Sequence, residues 1–435
     1  MNKFAVSVGL AASGAMVLGM SGSAQTSILG DAKDWNASAS LQGFYDSNYN
    51  IGATKKGSYG IQLSPTVTAT IPLTQTQIGF LYTYGLQWYQ QRQQDNVNPY
   101  DQQHTVNLWV DHAFDERWDL KVSDVFNSGQ EPELLSGGGA NVAPVQYRLN
   151  GNNIANNATV TLNTEWTRLF STSLVYANNF YQYSDQSAYA PSLNRIDNAP
   201  ELDLQWHLTP DSILFVGYQF EIENYTDGSL LAPNPSDPSE VYVYQGKTFQ
   251  YFSNSRDNVN HYGYVGIQQN LLPNLVASAR AGFQYYETID DPLGNTSTTS
   301  PYADVSLIYT YSPGSNAQIG FTQSRNSTDV ISVNQQNYSI TQDQESSSLY
   351  AAINHQITPK LQASVIGRWT DSQFNGGSFN NQSQTDYSLG VSANYAFTRH
   401  ISGQAGYNYD DVTAPAGSGQ AYVRNRVYVG FAVAY

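Results

Sequence analysis

The chain has no cysteine, so neither disulfides nor thiolate metal sites are available to it. It has few bases: 19 Lys and Arg stand against 35 Asp and Glu, a net charge of -16 that argues against nucleic acid as a partner. Beyond its N-terminus no run approaches the ~20 consecutive apolar residues of a membrane helix, so any membrane crossing must be made by strands. Motifs for chemistry are also missing. The six histidines at 104, 112, 207, 261, 355 and 400 are scattered, with no HExxH or comparable ligand spacing, and there is no GxSxG elbow. No catalytic residue, metal site or cofactor is therefore expected, and each histidine is read as an interfacial or lumen side chain.

What the chain does have is alternation. Aromatic residues are abundant, 33 Tyr, 17 Phe and 7 Trp, and they fall on period-2 faces. Ile78, Phe80, Tyr82, Tyr84, Leu86 and Trp88 are one such face. Leu214, Val216, Tyr218, Phe220 and Ile222 are another, and Tyr387, Leu389, Val391, Ala393, Tyr395 and Phe397 a third. Period 2 is the signature of strands with one apolar face. Aromatics gather at the ends of these faces, as the interfacial girdles of a membrane barrel require.

Connections alternate between short and long. Short ones fall at 73–76, 115–117, 168–171, 209–211, 272–274, 313–316, 358–360 and 398–400. Long polar ones fall near 46–58, 91–103, 128–157, 184–199, 225–258, 289–300, 328–343, 374–384 and 411–422. Eight short turns plus a first and a last strand predict an all-β, transmembrane, antiparallel up-and-down barrel of about 18 strands, with 16 as the alternative. Periplasmic turns are expected to be short and extracellular loops long. The segment 1–24 reads as a signal peptide with Lys3 as its positive end, 25–34 as a short periplasmic segment, and 35–435 as the barrel. Two residues conflict with the pattern. Pro65 inside a clean strand predicts a bulge. Asp124 on an outward parity predicts either a bulge or an apolar band that ends before it.

If the apolar faces meet lipid, their neighbours line the lumen. That places Asp111, Lys121, Glu165, Glu201, Asp203, Glu221, Glu223, Arg280, Asp304, Arg368, Asp386, Arg424 and Arg426 inward. The acids cluster on the strands around 201–223 and most bases on later strands, which predicts oppositely charged arcs across a water-filled pore. The 128–157 loop, with Glu131 and Glu133 before a glycine run, is the candidate constriction. The aromatic stretch 239–252 is a candidate extra hairpin above the barrel.

The last thirteen residues, VRNRVYVGFAVAY, resemble the assembly signal of bacterial outer-membrane barrels, carried here by Tyr428, Gly430, Val433 and the terminal Tyr435. The segments WDLKVSDVFNSGQEPELL, from Trp118 to Leu135, and NGNNIANNATVTLNTEW, from Asn150 to Trp166, resemble the putative β-barrel porins of the BBP2-like group. That resemblance implies an integral location in a Gram-negative outer membrane and a link to exopolysaccharide secretion. The expected function is a porin-like channel for small hydrophilic solutes, cation-preferring. The alternatives are a conduit for exopolysaccharide and a non-conducting barrel whose loops serve adhesion. Expected partners are outer-membrane lipid, the barrel-assembly machinery and the solute or polysaccharide, with oligomeric state left open.

Overall fold

The computed structural model describes residues 34–129, 151–185, 190–231, 241–334 and 336–435. The first half of the wall is β1 (Trp35–Asp46), β2 (Ser58–Pro72), β3 (Thr76–Tyr89), β4 (Tyr100–Ala113), β5 (Trp118–Gly129), β6 (Gly151–Thr167), β7 (Phe170–Asp185), β8 (Arg195–Thr209) and β9 (Ser212–Tyr225). A small hairpin follows, β10 (Tyr242–Tyr244) and β11 (Lys247–Phe249). The wall then continues through β12 (Asn258–Leu272), β13 (Leu275–Thr288), β14 (Ser297–Ser312), β15 (Ser315–Asn326) and β16 (Thr341–Thr358). It ends with β17 (Leu361–Gly376), β18 (Ser383–Ala396), β19 (Ile401–Thr413) and β20 (Tyr422–Ala434).

These elements form one 18-stranded antiparallel sheet, with β9 paired to β12 and the hairpin left out of the wall. β1 pairs with β2 on one side and with β20 on the other, so the sheet closes into a barrel without an edge. Followed once round the wall, the register returns to β1 displaced by about 22 residues. With strands ~4.8 Å apart and a rise of ~3.3 Å per residue, that stagger tilts the strands by about 40° and gives a backbone radius of about 18 Å.

The outer surface is an apolar belt between two aromatic rings. At the short-turn end Trp35 meets Tyr435 with ring centroids 5.8 Å apart, Trp118 meets Trp166 at 5.6 Å, and Phe170 meets Trp206 at 5.6 Å. At the long-loop end Tyr45 packs on Tyr59 at 5.0 Å. Between the rings Leu63, Val216, Val305, Val365 and Val429 are exposed to the surroundings of the barrel. A soluble sheet would cover such a belt; none of the described residues does, and the fold is that of a membrane barrel.

Neither sequence conflict resolves as a bulge. Pro65 keeps its place opposite Ala39 in an unbroken β1–β2 register. Toward β3 the pairing lapses at Ser64 and Pro65 and resumes in the same register at Thr66–Thr83. The missing N–H costs ladder bonds locally but moves no residue to the other face. Asp124 likewise sits in continuous registers on both sides and stays on the outer face, opposite Leu108 and Ala158, with Phe126 beyond it.

Candidate functional site: the barrel lumen

The inward faces of β8, β9 and β12 to β14 carry a connected polar network. Glu201 and Asp203 come from β8, Glu221 and Glu223 from β9, Tyr262 and Tyr264 from β12, and Arg280 and Gln284 from β13; all are buried. The Tyr264 hydroxyl donates to Asp203 Oδ1 at 2.8 Å, and the Tyr262 hydroxyl to Glu221 Oε2 at 2.8 Å. Asn258 Nδ2 donates to Glu223 Oε2 at 2.8 Å. Gln284 Nε2 donates to Asn260 Oδ1 and to the Tyr262 oxygen, both at 2.9 Å. Tyr264 must reach over β9 to touch Asp203, and Gly217 makes that possible. A Cβ there would stand 2.1 Å from the Tyr264 ring and 2.2 Å from the Asp203 carboxylate.

Arg280 organises the same patch. Its Nη2 donates to Asp304 Oδ2 at 3.1 Å, and its Nη1 lies 3.9 Å from Glu201 Oε1. The guanidinium also stands 5.5 Å from the Tyr264 ring centre and 5.8 Å from that of Tyr302. This corrects the expectation of separate charged arcs. The strand stagger carries a base of β13 onto an acid of β8, so opposite charges pair within the wall.

Two further clusters complete the lining. Pairing between β14 and β15 ends at Ala303–Gln323, and beyond it β15 turns inward. There the Arg325 N–H donates to Gln284 Oε1 at 2.8 Å, its Nε to Ser300 Oγ at 3.0 Å, and its guanidinium pairs with Asp343 and Glu345. At the closing strands Arg424 Nε donates to Asp46 Oδ2 at 2.8 Å. Arg426 Nη2 donates to Gln62 Oε1 at 2.8 Å, and its guanidinium lies 4.0 Å from the Phe44 ring centre.

The remaining sequence-derived residues are placed as follows. Asp111 and Lys121 face each other across β4 and β5, half-buried. Glu165 is exposed at the short-turn end of β6. Arg368 on β17 and Asp386 on β18 are buried, and Gln384 Nε2 donates to Asp386 Oδ1 at 3.3 Å. Glu131 and Glu133 lie outside the described residues. Tyr428 packs inward against Phe44 and Tyr89, and Val433 and Tyr435 face outward. Four histidines share hydrogen bonds with hydroxyls of the neighbouring strand, His112 with Thr76, His104 with Tyr82, His207 with Ser171 and His261 with Tyr218, and His355 reaches past β15 to the Tyr311 hydroxyl of β14.

Several lining residues were not singled out from the sequence. Asp46 and Asp410 continue inward parities that were already legible. Arg195, Asp197, Arg325 and Asp343 sit in stretches that read as loops or loop edges, so no strand parity pointed to them.

Above the wall the long loops pack on each other. Leu231, Tyr242, Tyr251 and Ile340 are buried together, with Phe249, Ile331, Val333 and Tyr338 around them. Below this apolar cap Arg256 donates to the Thr328 carbonyl and lies 4.7 Å from the Tyr225 ring centre. Asp257 Oδ1 accepts the Tyr225 N–H at 2.7 Å. Burial pushes the Asp257 carboxyl up to about 6; that N–H opposes the shift, and Asp290 and Glu223 add to it. At the rim Lys56 and Asp95 pair, which raises the lysine and lowers the acid.

An apolar belt outside, a charged and hydrogen-bonded lining inside and a closed antiparallel wall define an integral β-barrel of the outer-membrane porin type. No protein-family model and no curated protein matches the chain, so the resemblance to the BBP2-like group is not confirmed. Among solved structures the chain is similar to OccAB4 of Acinetobacter baumannii, at 12% identity and a TM-score of 0.39 over 93% of this chain and 99% of that one. It is similar to the outer membrane protein opdK of Pseudomonas aeruginosa, at 9% identity and a TM-score of 0.43 over 93% of this chain and 100% of that one. It is also similar to the copper transporter OprC, at 10% identity and a TM-score of 0.42 over 88% of this chain; there it spans 64% of the other chain's length. The fold assignment rests on the strand pairing itself.

Proposed function

We propose that this protein is a porin-like channel in the outer membrane of a Gram-negative bacterium, passing small hydrophilic solutes by diffusion. The observation that carries the reading is the closed 18-stranded wall with a polar, charged inner face. A backbone radius of about 18 Å exceeds what one layer of side chains fills, and barrels of this strand number hold water.

For ion sign, the reading favours cations. Arg280, Arg325 and Arg424 are matched by carboxylates, whereas Asp203, Glu221 and Glu223 are hydrogen-bonded by neutral tyrosine and asparagine groups. The same pairing engages Arg280 and Arg424 within the wall, two of the inward bases that a polysaccharide conduit would offer its polymer, and so weakens the exopolysaccharide reading. Swelling of liposomes containing the folded protein, in sugars of increasing size, tests the channel. Swelling that falls with sugar size supports diffusion; folded protein in impermeable vesicles overturns it.

A further inference from the structure

Across the inner face of β5 to β9 the register sets one row, Val125, Asn157, Asn179, Asp197 and Glu223, each directly opposite the next. All five are buried. They point inward, because on the alternate parity of β6 to β9 Val160, Leu174, Tyr176, Leu202 and Tyr218 are the exposed residues of the outer face. The far end of the row is satisfied: Glu223 Oε2 accepts from Asn258, and Arg195 Nε donates to Asp197 Oδ2 at 3.2 Å. Its middle is not. Among the described residues Asn157 Oδ1 and Nδ2, Asn179 Oδ1 and Asp197 Oδ1 have no hydrogen-bond partner. Yet Asn157 is only 3% exposed, and Asn179 and Asp197 4% each. Side-by-side carboxamides can bond to one another; these two do not.

A buried polar group without a partner costs about 1–3 kcal/mol. Three adjacent side chains carrying that cost point to a ligand that supplies the bonds. The mixture of donors and acceptors selects its chemistry. A metal cation would satisfy the oxygens and leave the Asn157 Nδ2 hydrogens unpaired. An anion would take those hydrogens and face the Asp197 and Glu223 carboxylates. A hydroxyl both donates and accepts, so adjacent hydroxyls serve both atoms of a carboxamide and donate to a carboxylate. Apolar surface lies beside the row. Val125 ends it, and Tyr181 and Tyr183, the next inward residues of β7, stack with ring centroids 6.5 Å apart and 5° between their planes. Such faces suit the C–H surface of a sugar ring. With strands ~4.8 Å apart, Asn157 to Asp197 spans roughly 10 Å, the length of a disaccharide.

We propose that Asn157, Asn179 and Asp197 form a subsite for a neutral sugar on the inner wall of the barrel. The subsite rests on the channel reading and names the class of solute that the lumen holds in passage. Asn157 and Asn179 take hydroxyl pairs, Asp197 Oδ1 accepts a further hydroxyl hydrogen, and the acids beside them exclude sugar acids.

The full chain, shown to be folded by heat-modifiable migration in gels, is reconstituted in planar bilayers and its ion current is titrated with maltose. A bound sugar obstructs the lumen, so the current is expected to fall saturably. Two controls are expected to give no saturable block at the same concentrations. One is a polyethylene glycol of matched size, whose ether oxygens only accept; the other is glucuronate, which brings a negative charge to the acids. Asn157→Leu with Asn179→Leu is expected to stay heat-modifiable and to raise the half-blocking maltose concentration about ten-fold through the lost hydrogen bonds. Should the double change prevent folding, Asn179→Ala alone is expected to raise it about three-fold. Maltose block that does not saturate, or that the polyethylene glycol matches, shows a row filled by water alone and overturns the proposal. An unchanged half-blocking concentration in the folded variants, or tighter block by glucuronate, overturns it too. Folded, inserted protein that never conducts overturns the channel reading itself, and the subsite with it.

Discussion

Arg424 on β20 donates from Nε to Asp46 on β1 across 2.8 Å, so the last strand is tied to the first by a buried ion pair. Removing one member of a buried pair leaves the other charge without its counterpart, which costs roughly 3–5 kcal/mol. Asp46→Asn is expected to lower the urea midpoint of unfolding, followed by tryptophan fluorescence in micelles. Asp46→Asn combined with Arg424→Gln should recover part of the loss. An unchanged midpoint in the single variant would show that the pair does not hold the closing strands.

The same closure depends on Gly430. A Cβ at this position would stand 2.3 Å from the Leu41 carbonyl oxygen and 2.8 Å from Gln42 Cα, backbone that cannot swing aside. Gly430→Ala is expected to cost about 1–3 kcal/mol and to shrink the heat-modifiable fraction. Val433→Ala, on the outer face three residues further along β20, should leave that fraction nearly intact. Equal effects from the two variants would contradict the close-approach account.

The lumen acids held by neutral partners set the expected ion preference. Asp203→Asn with Glu221→Gln keeps the tyrosine hydrogen bonds and removes two acids from the wall. The cation-to-anion permeability ratio, read as a reversal potential under a salt gradient, is expected to fall about two-fold. A ratio that does not move would assign selectivity to other groups.

Asp257 makes the loop cap respond to pH. Burial holds its carboxyl at about 6, above the ordinary 3.8. A raised folded value means that the folded loop prefers the protonated acid. The stabilisation is therefore complete below about pH 3.8 and is lost as pH rises through about 6. Exchange of the Tyr225 and Ser253 amides, corrected for intrinsic rates, should be on the order of ten-fold faster at about pH 7.5 than at about pH 5. Asp257→Asn retains the acceptor for the Tyr225 N–H and should remove the difference. A pH dependence that persists in that variant would place the switch elsewhere.

Much of this fold was legible because the information is local. Parity along each strand needs only neighbouring residues, and several of the eight short turns sit where Pro, Asp or Asn interrupts the alternation. What was not legible depends on the stagger between strands. Nothing near Arg280 in sequence says that it will meet Glu201, three wall strands back. Gly217 acquires its meaning only when β12 is known to lie beside β9. Arg325 was hidden because β15 leaves its partner, and Leu231 with Ile340 because loops of unrelated sequence pack together. Pro65 and Asp124 show the opposite error. Local rules asked for a bulge at Pro65 and for a bulge or an early end of the apolar band at Asp124, and no bulge formed at either because the strand registers held them in line.

The most direct measurement of the central claim is single-channel conductance of the purified, heat-modifiable protein in a planar lipid bilayer. The account predicts stable open steps, linear in voltage over a modest range, with a cation-leaning reversal potential in a salt gradient. Folded protein that inserts and remains silent would contradict an open, water-filled lumen.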